Sequence, residues 1–228
     1  MNSYINYFLD AIKSINNNEV PQYFLESKIK DLGALLTIRD CGDIILEMLC
    51  SEKPSDSFRY FEKKKALFYI FPILDCCKLI SQNKHRSKNV FDHTIKVIDI
   101  IPRDNIDLRW AGLFHDLGKR DCSLFHNDFY KHSAISAKLF DSYSEMFNIQ
   151  NKVKITKIIL YHMLPLQYQK NQDWGEKGIN NFISLCSKEF VFDVIEFAYY
   201  DKKAENDVEE FLQPILELRE KVKEISGC

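Results

Sequence analysis

Six side chains in this sequence have the types that divalent metal ions prefer: His93, the adjacent pair His115 and Asp116, His132, His162 and Asp201. The pair closes an apolar run, Trp-Ala-Gly-Leu-Phe-His-Asp-Leu-Gly-Lys at 110–119. An imidazole and a carboxylate buried at such a place are costly without partners, and an ion is one partner that satisfies both. Neutral imidazole with carboxylate suits a borderline divalent transition metal, one of Mn, Fe, Co, Ni or Zn.

On this reading His93 from one helix and His115 and Asp116 from the next meet one ion, and Asp201 from a later helix completes the cage. Asp207 is the local competitor for that last role. The remaining coordination positions take water or a phosphate oxygen. Water acidified by such an ion ionises near neutral pH and attacks phosphorus. His132 and His162 hold a second ion bridged by Asp116, or else face phosphate or serve structure; the residues alone leave these open, and the ion count is one or two. Asp116 and Lys119 are the candidate catalytic residues. Lys119 is placed to bind a substrate phosphate as a point charge, with Arg120 and Lys131 beside it, though Lys119 and Arg120 read also as a solvated helix end. His85 and His126 read as structural or peripheral.

The elements that must carry these residues read as helical. Asn89 is a natural N-cap for a helix reaching Ile101, where Pro102 stops it. Asp107–Leu117 is a short helix whose buried side is Trp110, Ala111, Leu113, Phe114 and Leu117, with Gly118 as its C-terminal stop. Two further helices are expected near 131–147 and 149–163, closed by Pro165. Residues 166–178 are polar and read as a loop. Helices follow near 178–187, 189–203 and 207–225, the last with an apolar stripe of Phe211, Ile215, Leu218 and Val222 that reads as core packing.

Upstream, Ile29, Leu32, Leu35 and Leu36, and then Ile44, Ile45, Met48 and Leu49, recur at helical spacing. Residues 51–57, with Pro54, read as a loop, and 58–80 as helix with a bend near Pro72. No strand pattern is convincing. The expected fold is all-α: a helical bundle at 84–165 carrying most of the ligands, an N-terminal helical segment at 1–83 packed on it, and C-terminal helices at 166–228 completing the metal site.

Composition agrees with that class. The 228 residues are 46% hydrophobic and 28% charged, with only 7 Gly and 6 Pro, which suits helices with short connections. A net charge of -2 argues against a broadly basic nucleic-acid surface. No apolar run approaches the roughly 20 residues a bilayer requires, and Met1–Asp10 lacks the pattern of a secretory signal. The cysteines at 41, 50, 76, 77, 122, 186 and 228 are odd in number and form no CxxC pair, so reduced thiols in a cytoplasmic protein are expected.

Val-Phe-Asp-His-Thr at 90–94 and Leu-Phe-His-Asp-Leu-Gly-Lys at 113–119 resemble the HD superfamily of metal-dependent phosphohydrolases. More of the chain, from about residue 25 to about 220, is similar to the HD-containing bodies of bacterial tRNA nucleotidyltransferases (CCA-adding enzymes) and poly(A) polymerases. The residues concerned are Ile70-Phe71-Pro72, Gln82-Asn83-Lys84-His85, Phe91-Asp92-His93-Thr94, Phe129-Tyr130-Lys131-His132 with Ser136-Ala137, and Tyr161-His162. Nucleotidyl transfer needs a Gly-Ser turn and a pair of carboxylates one residue apart. The sequence has no Gly-Ser and no Asp-x-Asp, and the stretch before the matching region leaves no room for that head, so no CCA-adding activity is expected. Asparagines stand at 180 and 181 where these relatives often carry arginine. Lys131 replaces their glycine and Ser133 their glutamate.

The resemblance implies a phosphomonoesterase or 2',3'-cyclic phosphodiesterase acting on a phosphorylated small molecule, a nucleotide or an RNA end. Two other readings accompany it: a non-catalytic module that docks tRNA, RNA or protein, and an HD oxygenase with a di-iron centre.

Overall fold

The computed structural model describes residues 3–24, 26–82, 89–125, 129–170, 174–206 and 208–227. Among them the chain is all-α. The only β pairing there is an isolated bridge between Ser81 and Asn89, and no helix is long and apolar enough to cross a membrane.

The N-terminal layer consists of α1 (Ser3–Asn16), α2 (Glu26–Gly33), α3 (Ile38–Leu49), α4 (Pro54–Lys63), α5 (Leu67–Ile70) and α6 (Pro72–Cys76), followed by a 3-10 turn at Cys77–Leu79. Thr37 and Asp40 close α3 with a reciprocal capping box, which satisfies two backbone donors that a helix start leaves unpaired. The expected loop at 51–57 is in fact helical from Pro54 onward. Proline is tolerated at the first helical position because its missing N–H has no partner to lose there. The Ser55 N–H at that end is taken by the Asp99 carboxylate, 2.9 Å away on a later helix. The expected helix over 58–80 is broken into pieces, with Lys65 in a left-handed conformation at φ 59°. The bend expected near Pro72 is a true helix start.

The helices that carry or adjoin the candidate site residues follow: α7 (Val90–Ile100), α8 (Ile106–Phe114), α9 (Gly118–Phe125), α10 (His132–Met146) and α11 (Lys152–Tyr161). The Asn89 side chain accepts from the Asp92 N–H at 2.8 Å, as its position predicts, and α7 ends before Pro102. Gly118 does not stop a helix; it opens α9. A Cβ there would overlap the His132 carbonyl oxygen and come within 2.8 Å of the Ser136 nitrogen, so the glycine lets α9 and α10 touch.

The last layer is α12 (Met163–Lys170), α13 (Gly175–Cys186), α14 (Val191–Glu205) and α15 (Glu209–Ser226). The loop expected at 166–178 is replaced in part by α12, and Pro165 sits in its first turn rather than closing α11. In α15 the buried stripe is Leu212, Ile215, Leu218 and Val222, while Phe211 is 39% exposed. Leu212 occupies the buried position expected of Phe211.

One buried apolar cluster draws on all three layers, from Phe8 through Phe61, Phe114 and Ile159 to Val222. Arg109 runs through it, 2% exposed. Its guanidinium donates to the carbonyls of Ile101 at the end of α7 and of Leu49 and Ser51 at the end of α3. Those are carbonyls that helix ends leave without intrahelical donors. One side chain therefore ties the N-terminal layer to the helices that carry the site. Around the site, α7, α8, α10, α11 and α14 pack against one another.

Candidate metal centre

Three of the four site histidines stand at helix boundaries. His115 caps the end of α8, His162 caps the end of α11 and His132 opens α10. Each donates Nδ1–H to the carbonyl three residues back: His115 to Gly112 at 2.8 Å, His132 to Phe129 at 2.6 Å, His162 to Ile159 at 2.8 Å. A carbonyl only accepts, so the proton lies on Nδ1 and Nε2 presents a bare lone pair. His93 lies inside α7, where the turn carbonyls are already used, and its Nδ1 is buried without a hydrogen-bond partner among the described residues.

These bare atoms converge with the two carboxylates and with His93, whose Nε2–H donates to Asp201. His132 Nε2 and His162 Nε2 are 3.3 Å apart, with Asp116 Oδ1 3.4 Å from His132 Nε2. On the other side of the same carboxylate, His115 Nε2 is 3.4 Å from Asp116 Oδ2 and 3.3 Å from His93 Nε2. His93 Nε2 lies 2.9 Å from Asp201 Oδ1, which is 3.7 Å from His115 Nε2. All six residues are buried, none more than 5% exposed.

Two facing imidazole lone pairs repel, and neither neutral ring in the His132–His162 pair has an Nε2 proton to offer the other. A cation among them removes that repulsion. Ligand atoms sharing one ion at normal bond lengths lie about 3.0–3.5 Å apart; the His132–His162, His93–His115, His115–Asp116 and His132–Asp116 contacts fall in that range, and His93 Nε2 to Asp116 Oδ2 is 3.7 Å. His93, His115 and Asp116 thus form one group that could hold a metal ion, and Asp116, His132 and His162 a second. Asp116 belongs to both, and Asp201 flanks the first.

The electrostatics follow from burial and these neighbours. Burial drives the His162 pKa down to about 3, helped by His132 and His115. Burial also lowers His132, against the pull of Asp116. His115 is raised: burial opposes its charge, but Asp116 and Asp201 outweigh it. Burial would raise both aspartates, yet Lys119, His115 and His132 hold Asp116 well below the usual carboxylate range, and His93, His115 and His162 do the same for Asp201. The carboxylates are ionised and the second-group histidines neutral, which is the protonation state that metal binding requires.

Of the other expected site residues, Lys119 turns inward. Its Nζ lies 2.6 Å from Asp116 Oδ2 and 5.7 Å from the centroid of the Phe129 ring. Arg120 pairs with its neighbour Asp121, and Lys131 is exposed one residue before His132. His85, His126 and Asp207 lie outside the described residues. Gln82, not among the expected site residues, donates its Nε2–H to Asp116 Oδ2 at 3.2 Å. Nothing in its local pattern marks it, because the contact spans 34 residues. No protein-family model matches the chain, and no curated protein matches it.

Proposed function

We propose that this chain is an HD-type metal-dependent phosphohydrolase. It removes a terminal phosphate, or opens a 2',3'-cyclic phosphate, on a nucleotide or RNA end. The observation that supports this is the convergence of bare Nε2 atoms and a shared carboxylate in a buried cluster, a costly arrangement without a cation. His93, His115, Asp116 and Asp201 would hold one divalent transition metal (Mn, Fe, Co, Ni or Zn), and Asp116, His132 and His162 a second. Such an ion supplies Lewis acidity and brings the ionisation of water near neutral pH.

The chain's own residues do the remaining work. The three Nδ1–carbonyl bonds fix ring orientation and tautomer. Lys119 neutralises Asp116 and carries the positive charge nearest the cluster, so it is the group to receive a phosphate; Arg120 and Lys131 stand farther out. The substrate class rests on the resemblance to bodies of tRNA nucleotidyltransferases. A cytoplasmic setting belongs to the same reading.

The test is elemental mass spectrometry of the purified chain, with a phosphomonoesterase and 2',3'-cyclic phosphodiesterase screen in added Mn, Co and Ni. Bound metal is expected, with turnover, and His115→Ala should lose both, lowering kcat/KM by about 100-fold or more. A wild-type chain without metal or turnover, yet with a salt-dependent tRNA shift, overturns this reading in favour of a docking module. Metal without phosphatase activity, but with dioxygen consumption by the iron-loaded chain, points to the oxygenase.

A further inference from the structure

Gln82 is 4% exposed, and its carboxamide is the one uncharged side chain hydrogen-bonded to Asp116 among the described residues. The two residues before it are tied to the start of α7: Ser81 bridges to Asn89, and the Val90 N–H donates to the Ile80 carbonyl at 3.0 Å. The Nε2 end reaches Asp116 Oδ2. The Oε1 end is buried and has no hydrogen-bond partner among the described residues.

A buried acceptor without a donor costs about 1–3 kcal/mol, and ordering a glutamine costs rotamer entropy besides. An apolar residue of the same length would fill this space without the unpaired acceptor. The glutamine is therefore poor packing chemistry, and places where local energetics are compromised are commonly places that serve a site.

The two oxygens of Asp116 have different surroundings. Oδ2 faces Gln82 Nε2 at 3.2 Å, Lys119 Nζ at 2.6 Å and His115 Nε2 at 3.4 Å. Oδ1 faces His132 Nε2 at 3.4 Å. A carboxylate turns about its Cβ–Cγ bond with little resistance, so serving two groups of ligands requires that its plane be fixed. Lys119 contributes charge, but an ammonium on a flexible stem imposes little direction. The planar amide, on a residue that directly follows the paired Ile80 and Ser81, imposes more.

We propose that Gln82 is a positioning residue: it holds the plane of the Asp116 carboxylate so that Oδ2 serves the His93–His115 group while Oδ1 serves the His132–His162 group. This rests on the metal-centre reading above and deepens it. Supporting partners of this kind alter metal affinity by about 10–100-fold.

The test uses the full chain stripped of metal and titrated with Co(II), followed by its visible absorption and by calorimetry. Gln82→Met keeps the length and loses the donor. Expected are Co(II) affinity at least about tenfold weaker than wild type and an altered visible band. The far-ultraviolet circular dichroism should stay unchanged. A Gln82→Met titration and spectrum that superimpose on wild type overturn the role of Gln82 and leave the metal centre standing. A wild-type chain that takes up no Co(II) overturns both. Should the variant not fold, the wild-type chain labelled with 15N-glutamine decides. One side-chain amide pair, slow to exchange with solvent, must shift on adding Zn(II), and no responding pair overturns the proposal.

Discussion

At the residue scale, the quality of each ligand depends on where its residue sits in a helix. A helix end frees carbonyls, and His115 and His162 each spend one of these on their own Nδ1–H; His93, placed mid-helix, has none to use. Burial acts on the thiols too. It pushes Cys77 up to about 12, with the Asp116 charge adding to it, and pushes Cys186 up to about 12 as well. Both values lie above the ordinary 9.0, so at high pH the unfolded chain gives up these protons before the folded one. The stability they contribute is complete below about pH 9 and declines as pH rises toward 12. Urea midpoints should therefore fall between about pH 9 and pH 11, and Cys77→Ala with Cys186→Ala should flatten that fall. An unchanged slope in the double variant would contradict the assignment. The six residues that the structure gathers were legible here because their chemistry lies in residue type. Gln82 was not, since an amide carries no such label and its contact is made only by the fold.

At the scale of elements, what the sequence disclosed depended on whether the signal was local. The Asn89 cap and the Pro102 stop of α7 rest on neighbouring residues, and both hold in the structure. Gly118 and Pro165 misled because glycine and proline have two uses each. Gly118 makes room for the His132 carbonyl, and Pro165 fits a first turn as well as it ends a helix. Arg109 was invisible for a different reason: a charge inside the apolar face of α8 reads as an exception until its three carbonyl partners are seen. Arg109→Leu should leave those carbonyls buried and unpaired, at a cost of about 3 kcal/mol or more. Thermal melting should record a fall of roughly 6–12 °C. A shift under about 2 °C would show that water replaces the guanidinium at no cost. Lys96, which donates to the Ala204 carbonyl at the end of α14, makes a similar tie between the helices bearing His93 and Asp201.

At the scale of the whole molecule, the three layers share one core, and residues 108 positions apart in sequence, His93 and Asp201 at 2.9 Å, meet only when all are in place. The layers read from the sequence as flanking segments are thus bound into the same cluster as the site. If the proposed metal centre holds, burial of these residues governs time as well as affinity. With none of the six residues more than 5% exposed, an ion cannot be handed from one of these side chains to a chelator until the helices part. Exchange is then a breathing process of the bundle: raising the chelator concentration should stop accelerating removal once opening becomes the slow step. A plateau in the stripping rate would measure that opening directly, whereas a rate that keeps rising in proportion to chelator would reveal a shorter route to the ion.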